Sequence, residues 1–99
     1  MKYEIKEEAG RSALILREQM TYADRQAFDG LAPGLVKQGK AIVIDMSQLE
    51  YMDSAGLGML LTLRDQAEKA HQKVSIRAAQ GDVKELLRLS CFDTLFPFE

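Results

Sequence analysis

The run Ala41-Ile42-Val43-Ile44-Asp45-Met46 is apolar at four consecutive positions before its one acid. A half-exposed strand alternates apolar and polar residues, so a continuous β-rich run belongs in the middle of a sheet covered on two sides. Gly39 ends whatever precedes it. Ser47 to Met52 reads as a short connection to a long helical pattern that opens near Ser54.

The flanking segments can be placed around that strand. Tyr3 and Ile5 alternate with charged neighbours in a first strand, and Gly10 marks a hairpin into a second, Ser12 to Glu18. Thr21 with Asp24 three residues on is a capping-box-like start for a first helix carrying Phe28, Leu31 and Leu35. Pro33 and Gly34 lie within it and predict a kink or a break. The second helix spans Ser54 to about Gln72, with Leu57, Leu60, Leu61 and Ala67 on its apolar side. Lys73 to Ala79 is a further strand, and Asp82 is expected to cap a third helix bearing Val83, Leu86, Leu87 and Leu89. The order β-β-α-β-α-β-α implies right-handed parallel crossovers after the first hairpin. The expected fold is an α/β sandwich with a mixed sheet, formed by residues 1–99 as a single domain.

Composition narrows the function. Net charge is −2, with thirteen Lys and Arg spread along the chain, which disfavours direct nucleic-acid binding. The apolar fraction of 46% beside 28% charged residues suits a folded chain, and no apolar run approaches the length of a membrane span. The N-terminal MKYEIKEE is too charged for a secretory signal, and the single cysteine, Cys91, cannot form an internal disulfide. A cytoplasmic location without membrane insertion is the expectation.

Chemistry concentrates at Asp53-Ser54-Ala55-Gly56-Leu57-Gly58. On one reading Ser54 caps the helix and Asp53 suits the positive end of its dipole. Gly56 and Gly58 argue for more, since each costs roughly 1 kcal/mol against Ala inside a helix. They leave the first turn open and Ser54 uncovered, which suits a hydroxyl that carries phosphate. Enzyme sites fit poorly. The sole histidine, His71, falls about 25 Å along the same helix at 1.5 Å per residue, out of reach as a base for Ser54. No P-loop or dinucleotide fingerprint is present. Asp45 lacks the paired acids of a metal-dependent phospho-acceptor, and Asp45 with Asp53 makes a poor metal site. No cofactor and no metal is expected.

The run AIVIDMSQLEYMDSAGLGMLLTLRDQA resembles the STAS domain of bacterial anti-sigma-factor antagonists, whose pattern is a strand ending in Asp, a short loop, then D-S-[SA]-G-[LI] at a helix start. The C-terminal LSCFDTLFPFE is similar to that family's segment after the third helix, so the resemblance covers roughly residues 3–99. It implies a non-enzymatic, phosphorylation-controlled binding module in a partner-switching pathway that regulates transcription or a related output. Ser54 is then the acceptor for a GHKL-type serine kinase that doubles as the anti-sigma factor, and a PP2C-type phosphatase removes the phosphate. Asp53, Ala55, Gly56, Leu57 and Gly58, with Met20 and Thr21, are the implied partner-binding residues. The chain departs from the family in two places. Glu18-Gln19-Met20-Thr21 stands where many antagonists have Gly-x-hydrophobic-Asp, and the chain stops at Glu99 where many continue into a final helix. The alternative the resemblance leaves is a small cytoplasmic STAS subunit bracing the ATPase of an ABC-type lipid transport system. The aromatic tail, Phe92, Leu95, Phe96 and Phe98, is expected to close the core.

Overall fold

The computed structural model describes residues Met1–Glu99. Strands β1 (Lys2–Glu8), β2 (Arg11–Met20), β3 (Ile42–Met52) and β4 (Val74–Arg77) form one sheet in the order β1-β2-β3-β4. The β1–β2 pair is antiparallel, and β2–β3 and β3–β4 are parallel. Helices α1 (Arg25–Lys37), α2 (Ser54–Lys69) and α3 (Gly81–Leu89) follow β2, β3 and β4 in turn. This is the mixed α/β architecture that the element order implied.

All three helices contribute to one core on one face of the sheet. Leu14, Leu16, Ile42, Ile44, Met46, Val74 and Ile76 point into it from the strands, and Phe28, Leu35, Met59, Leu63, Val83 and Leu87 from the helices. The opposite face carries no helix layer, contrary to the two-sided cover expected for β3. Its buried apolar residues, Ala13, Ile15 and Val43, stand outside the core cluster. Charged side chains roof them: Arg17 pairs with Glu4 at 2.7 Å, and Arg77 with Glu8 at 3.0 Å and Asp45 at 2.9 Å. Long side chains can cover apolar surface with their stems while their charges stay hydrated.

Several local expectations change. The segment Ser47–Met52 is no connection, because β3 continues through it for eleven residues. Register shifts at Ile15/Arg17 and Glu18/Gln19 put Gln48 opposite Arg17, Leu49 opposite Glu18 and Met52 opposite Met20. Glu18 adopts φ +64 within this bulged stretch. The bulges break the alternation, so Leu49 and Met52 are both buried three residues apart and the strand loses its period of two. Asp45 is accordingly in mid-strand.

Helix α1 runs unbroken through Pro33, which lies on the exposed side. The Asp29 carbonyl left without its helical partner there can reach solvent. On α2 the buried side is Met59, Leu60, Leu63 and Ala67, and Leu61 is exposed. The cap of α3 is Gln80, with Asp82 in the first turn, and Leu89 points outward. The tail divides. Phe92 and Phe96 are buried and stacked with centroids 5.5 Å apart, whereas Leu95 and Phe98 remain partly exposed. Pro97–Glu99 run along β4 through Ile76 N–H to the Pro97 carbonyl at 2.9 Å and Glu99 N–H to the Ile76 carbonyl at 2.7 Å.

Candidate functional site

The end of β3 delivers Asp53 and Ser54 to the first turn of α2, at the carboxyl edge of the parallel part of the sheet, where sites in such folds gather. The N-cap is Asp53 and not Ser54. Its backbone is extended (φ −104, ψ −176), and Oδ1 accepts the Gly56 N–H at 3.1 Å. Its second oxygen accepts the Tyr22 N–H at 3.2 Å, tying α2 to the turn that leads into α1. Asp53 N–H in turn donates to the Met20 carbonyl at 3.3 Å. One residue thus fastens the start of α2 to the end of β2.

Ser54 is the first helical residue, exposed, with no hydrogen bond to its hydroxyl within the chain. No acid follows it in the first turn. Asp53 already takes the Gly56 N–H, so an anion carried by Ser54 would meet the remaining first-turn N–H groups and the positive end of the dipole beside an existing carboxylate.

The two glycines have different causes. A Cβ at Gly56 would stand 2.5 Å from Met52 Cγ and 3.0 Å from the Met20 carbonyl oxygen, so glycine lets α2 approach the ends of β2 and β3. Gly56 is buried by this contact, which corrects the reading that it keeps the surface low. Gly58 does fit that reading, because it is exposed and a Cβ there would meet nothing within 4 Å.

The remaining candidates are brought together around Ser54 in different ways. Thr21 is half-buried and heads the expected capping box, its N–H donating to Asp24 Oδ2 at 2.8 Å, although the first turn, Tyr22–Asp24, is a 3-10 turn. Met20 is fully buried and offers the site its carbonyl, not its side chain. Ala55 and Leu57 are half-buried. Two aromatic residues escaped sequence reasoning. Tyr22 is 72% exposed beside Asp53, and Tyr51, two residues before it on β3, is 54% exposed. A tyrosine inside each of the two segments that converge on Asp53 was the available signal.

Asp45 is committed elsewhere. Burial pushes its carboxyl up, but hydrogen bonds from Ser47 and Arg77 outweigh that and hold it below the usual range. No group of three or more His, Cys, Asp or Glu is placed to hold a metal ion, and His71 is exposed in the turn after α2. No helix is long and apolar enough to cross a membrane.

Comparison with known proteins agrees with this architecture. The family model described as "Mlab, STAS domain" matches residues 4–97. A STAS-domain containing protein of Pseudomonas aeruginosa (strain UCBPP-PA14) is 39% identical over 54 residues, which is 54% of each chain, so the match spans about half the length of that relative. An anti-sigma factor antagonist from Mycobacterium paratuberculosis superposes with a TM-score of 0.87 at 20% identity, covering 98% of this chain and 83% of that one. The phosphorylated form of the Bacillus cell fate determinant SpoIIAA gives 0.74 at 13% identity, covering 99% and 91%. At these identities the structural likeness is one of fold. With nearly the whole sequence matched by the family model, the chain belongs to the STAS domain family.

Proposed function

We propose that residues 1–99 act as one STAS domain that binds a partner protein in its unphosphorylated form and releases it when Ser54 is phosphorylated. The observation that carries this reading is the exposed, unbonded Ser54 hydroxyl at the first position of α2, beside a cap supplied by a different residue. A serine needed for capping would have its oxygen engaged. Here Asp53 does that work, which leaves Ser54 free for modification.

The electrostatics support a switch. A phosphate adds close to two negative charges at pH 7. The free chain can accept them at the helix N-terminus, where a negative charge gains roughly 0.3–1 kcal/mol. A partner packed over Ser54 would have to desolvate that charge next to Asp53. A loss of about 2.7 kcal/mol weakens binding a hundredfold. Thr21, Asp53, Ala55, Leu57 and Gly58 then form the partner surface with Tyr22 and Tyr51, while Met20 and Gly56 act by shaping it from beneath. The partner is an anti-sigma factor that doubles as a GHKL-type serine kinase in the cytoplasm, with a PP2C-type phosphatase resetting the site. The protein itself is a binding module and not an enzyme.

A second reading is the alternative that the resemblance leaves, a STAS subunit bracing a transport ATPase; the description of the family model, "Mlab, STAS domain", names no antagonist. Intact-mass measurement separates the two. Purified protein incubated with ATP and lysate of the source cells should gain one phosphate, and Ser54→Ala should gain none. No added phosphate, in a lysate that modifies a control kinase substrate, would overturn the switch and leave the transport reading.

A further inference from the structure

The free edge of the sheet is β1, and its charges are self-complementary. We propose that this strand is a docking edge for a second copy of the chain, the two β1 strands pairing antiparallel with Ile5 opposite Ile5.

Hydrogen-bonding phase supports that register. Ala9 (φ +50) and Gly10 (φ +80) form a two-residue hairpin turn, which makes Glu8 and Arg11 the closing hydrogen-bonded pair. Alternation along an antiparallel ladder then gives Lys6–Ala13, Glu4–Ile15 and Lys2–Arg17 the bonds to β2. Tyr3, Ile5 and Glu7 consequently aim their N–H and C=O groups away from β2, along the open edge. With Ile5 against the second copy's Ile5, Tyr3 falls opposite the second copy's Glu7, and all three residues can exchange backbone bonds.

The side chains select the same register. Lys2, Glu4, Lys6 and Glu8 share the open face of the sheet, where Glu4 meets Arg17 and Glu8 meets Arg77. Centred on Ile5, Lys2 opposes the second copy's Glu8 and Glu4 opposes its Lys6. Sliding by two residues one way sets Lys2 against Lys6 and Glu4 against Glu4. Sliding the other way sets Glu4 against Glu8 and Lys6 against Lys6. Like charges directly opposite are destabilising, so both neighbouring registers are penalised. Charged edge strands usually repel a partner strand, but this pattern repels every close register except one.

The other face of β1 supplies the apolar contact. Tyr3 is 44% and Ile5 47% exposed, although their partners on β2, Leu16 and Leu14, are fully buried. A two-fold axis perpendicular to the sheet keeps α1 of both copies on one side. It brings the two Ile5 side chains together beside Leu31 and Leu35, which line a groove with Ile5. The contact is isologous, so it closes at a dimer, and it lies at the sheet edge remote in chain order from β4.

Sedimentation velocity on the full chain tests the proposal from about 10 μM to about 1 mM, the range suited to a small interface. The mass should rise from monomer to dimer, and the Tyr3, Ile5 and Glu7 amides should gain exchange protection as it does. Lys6→Glu and Glu4→Lys should each weaken the dimer by about tenfold or more. Mixing these two variants should restore association, because opposite charges then face each other at both positions. Ile5→Pro removes an N–H that faces away from β2, so it should keep the monomer fold by circular dichroism and abolish the dimer. A monomer throughout the range, a dimer indifferent to these variants, or no recovery on mixing would overturn the proposal. None of these outcomes depends on Ser54.

Discussion

Asp53 caps α2 through the Gly56 N–H and holds the Tyr22 N–H with its other carboxylate oxygen, at 3.1 and 3.2 Å. A single side chain therefore fixes the helix start on which Ser54 stands and the turn opposite it. The neighbouring serine makes no comparable bond.

Replacing these two adjacent residues should therefore give unequal results. Asp53→Ala loses a cap worth about 0.5–2 kcal/mol and leaves the Tyr22 N–H to solvent. Ser54→Ala should stay within about 0.5 kcal/mol of wild type, as for an unpartnered surface residue. Urea denaturation is the check, with the midpoint shifting and the slope unchanged. Equal losses would mean that Ser54 shares the cap.

The two glycines make an opposite pair. Gly56→Ala places a methyl 3.0 Å from the Met20 carbonyl oxygen, a backbone atom that cannot step aside cheaply, and 2.5 Å from Met52 Cγ. Overpacking of this kind costs about 1–3 kcal/mol. Gly58→Ala meets nothing within 4 Å and should stabilise the helix by up to ~1 kcal/mol. Thermal melts of the two variants should move in opposite directions.

The element order was legible in the sequence because hydrophobic periods and helix punctuation are local signals. What the sequence hid was set by tertiary contact. Ser47–Met52 reads as a loop since Leu49 and Met52 are three apart, and only the bulged pairing with β2 turns that spacing into a strand. Gly56 looks like an open surface until the Met20 carbonyl from another strand is placed above it. Ser54 reads as the cap in the sequence, with Asp53 merely beside it; in the fold Asp53 takes the Gly56 N–H, and its other oxygen accepts the Tyr22 N–H from a distant segment. Ser54 itself was legible: it is where the motif put it, exposed on the first turn of a helix after the central strand.

The charged roof over the open sheet face should make stability fall in acid. The Arg77 guanidinium holds the Glu8 carboxyl below its ordinary value; Asp45 is also depressed, its burial being outweighed by Ser47 and Arg77. A carboxyl lowered in the folded state stabilises it above the unfolded value, near pH 4, and that contribution is lost as pH falls through the folded value. Arg77→Met removes the common partner. Its destabilisation, read from urea midpoints, should be full at pH 6–7, by the same reference value, and shrink steadily below about pH 4. A pH-independent difference would assign Arg77 a packing role only.

The tail gives a graded test of the core. Phe96 is buried, stacked on Phe92 and covered by Arg64, whose Nε–H donates to the Leu95 carbonyl at 2.9 Å. Phe96→Ala should cost about 3–5 kcal/mol, in the range for truncating a buried aromatic ring. Phe98, partly exposed beside β4, should cost under about 1 kcal/mol when truncated, close to a surface substitution. Equal losses would place Phe98 in the core.

Phosphorylation of Ser54 should leave the fold intact and change only what can dock on it. The modified serine occupies the first position of α2 with no acid following in that turn, so the helix dipole opposes the repulsion from Asp53. Ser54→Asp should therefore shift the unfolding midpoint by no more than the ~0.3–1 kcal/mol of a helix-terminal charge, and the shift should diminish at high salt as the charge is screened. The same variant should lose binding to a partner that the Ser54→Ala protein retains. A large loss of stability in Ser54→Asp would move the switch from the interface into the fold, since the partner would then be released by local unfolding of α2.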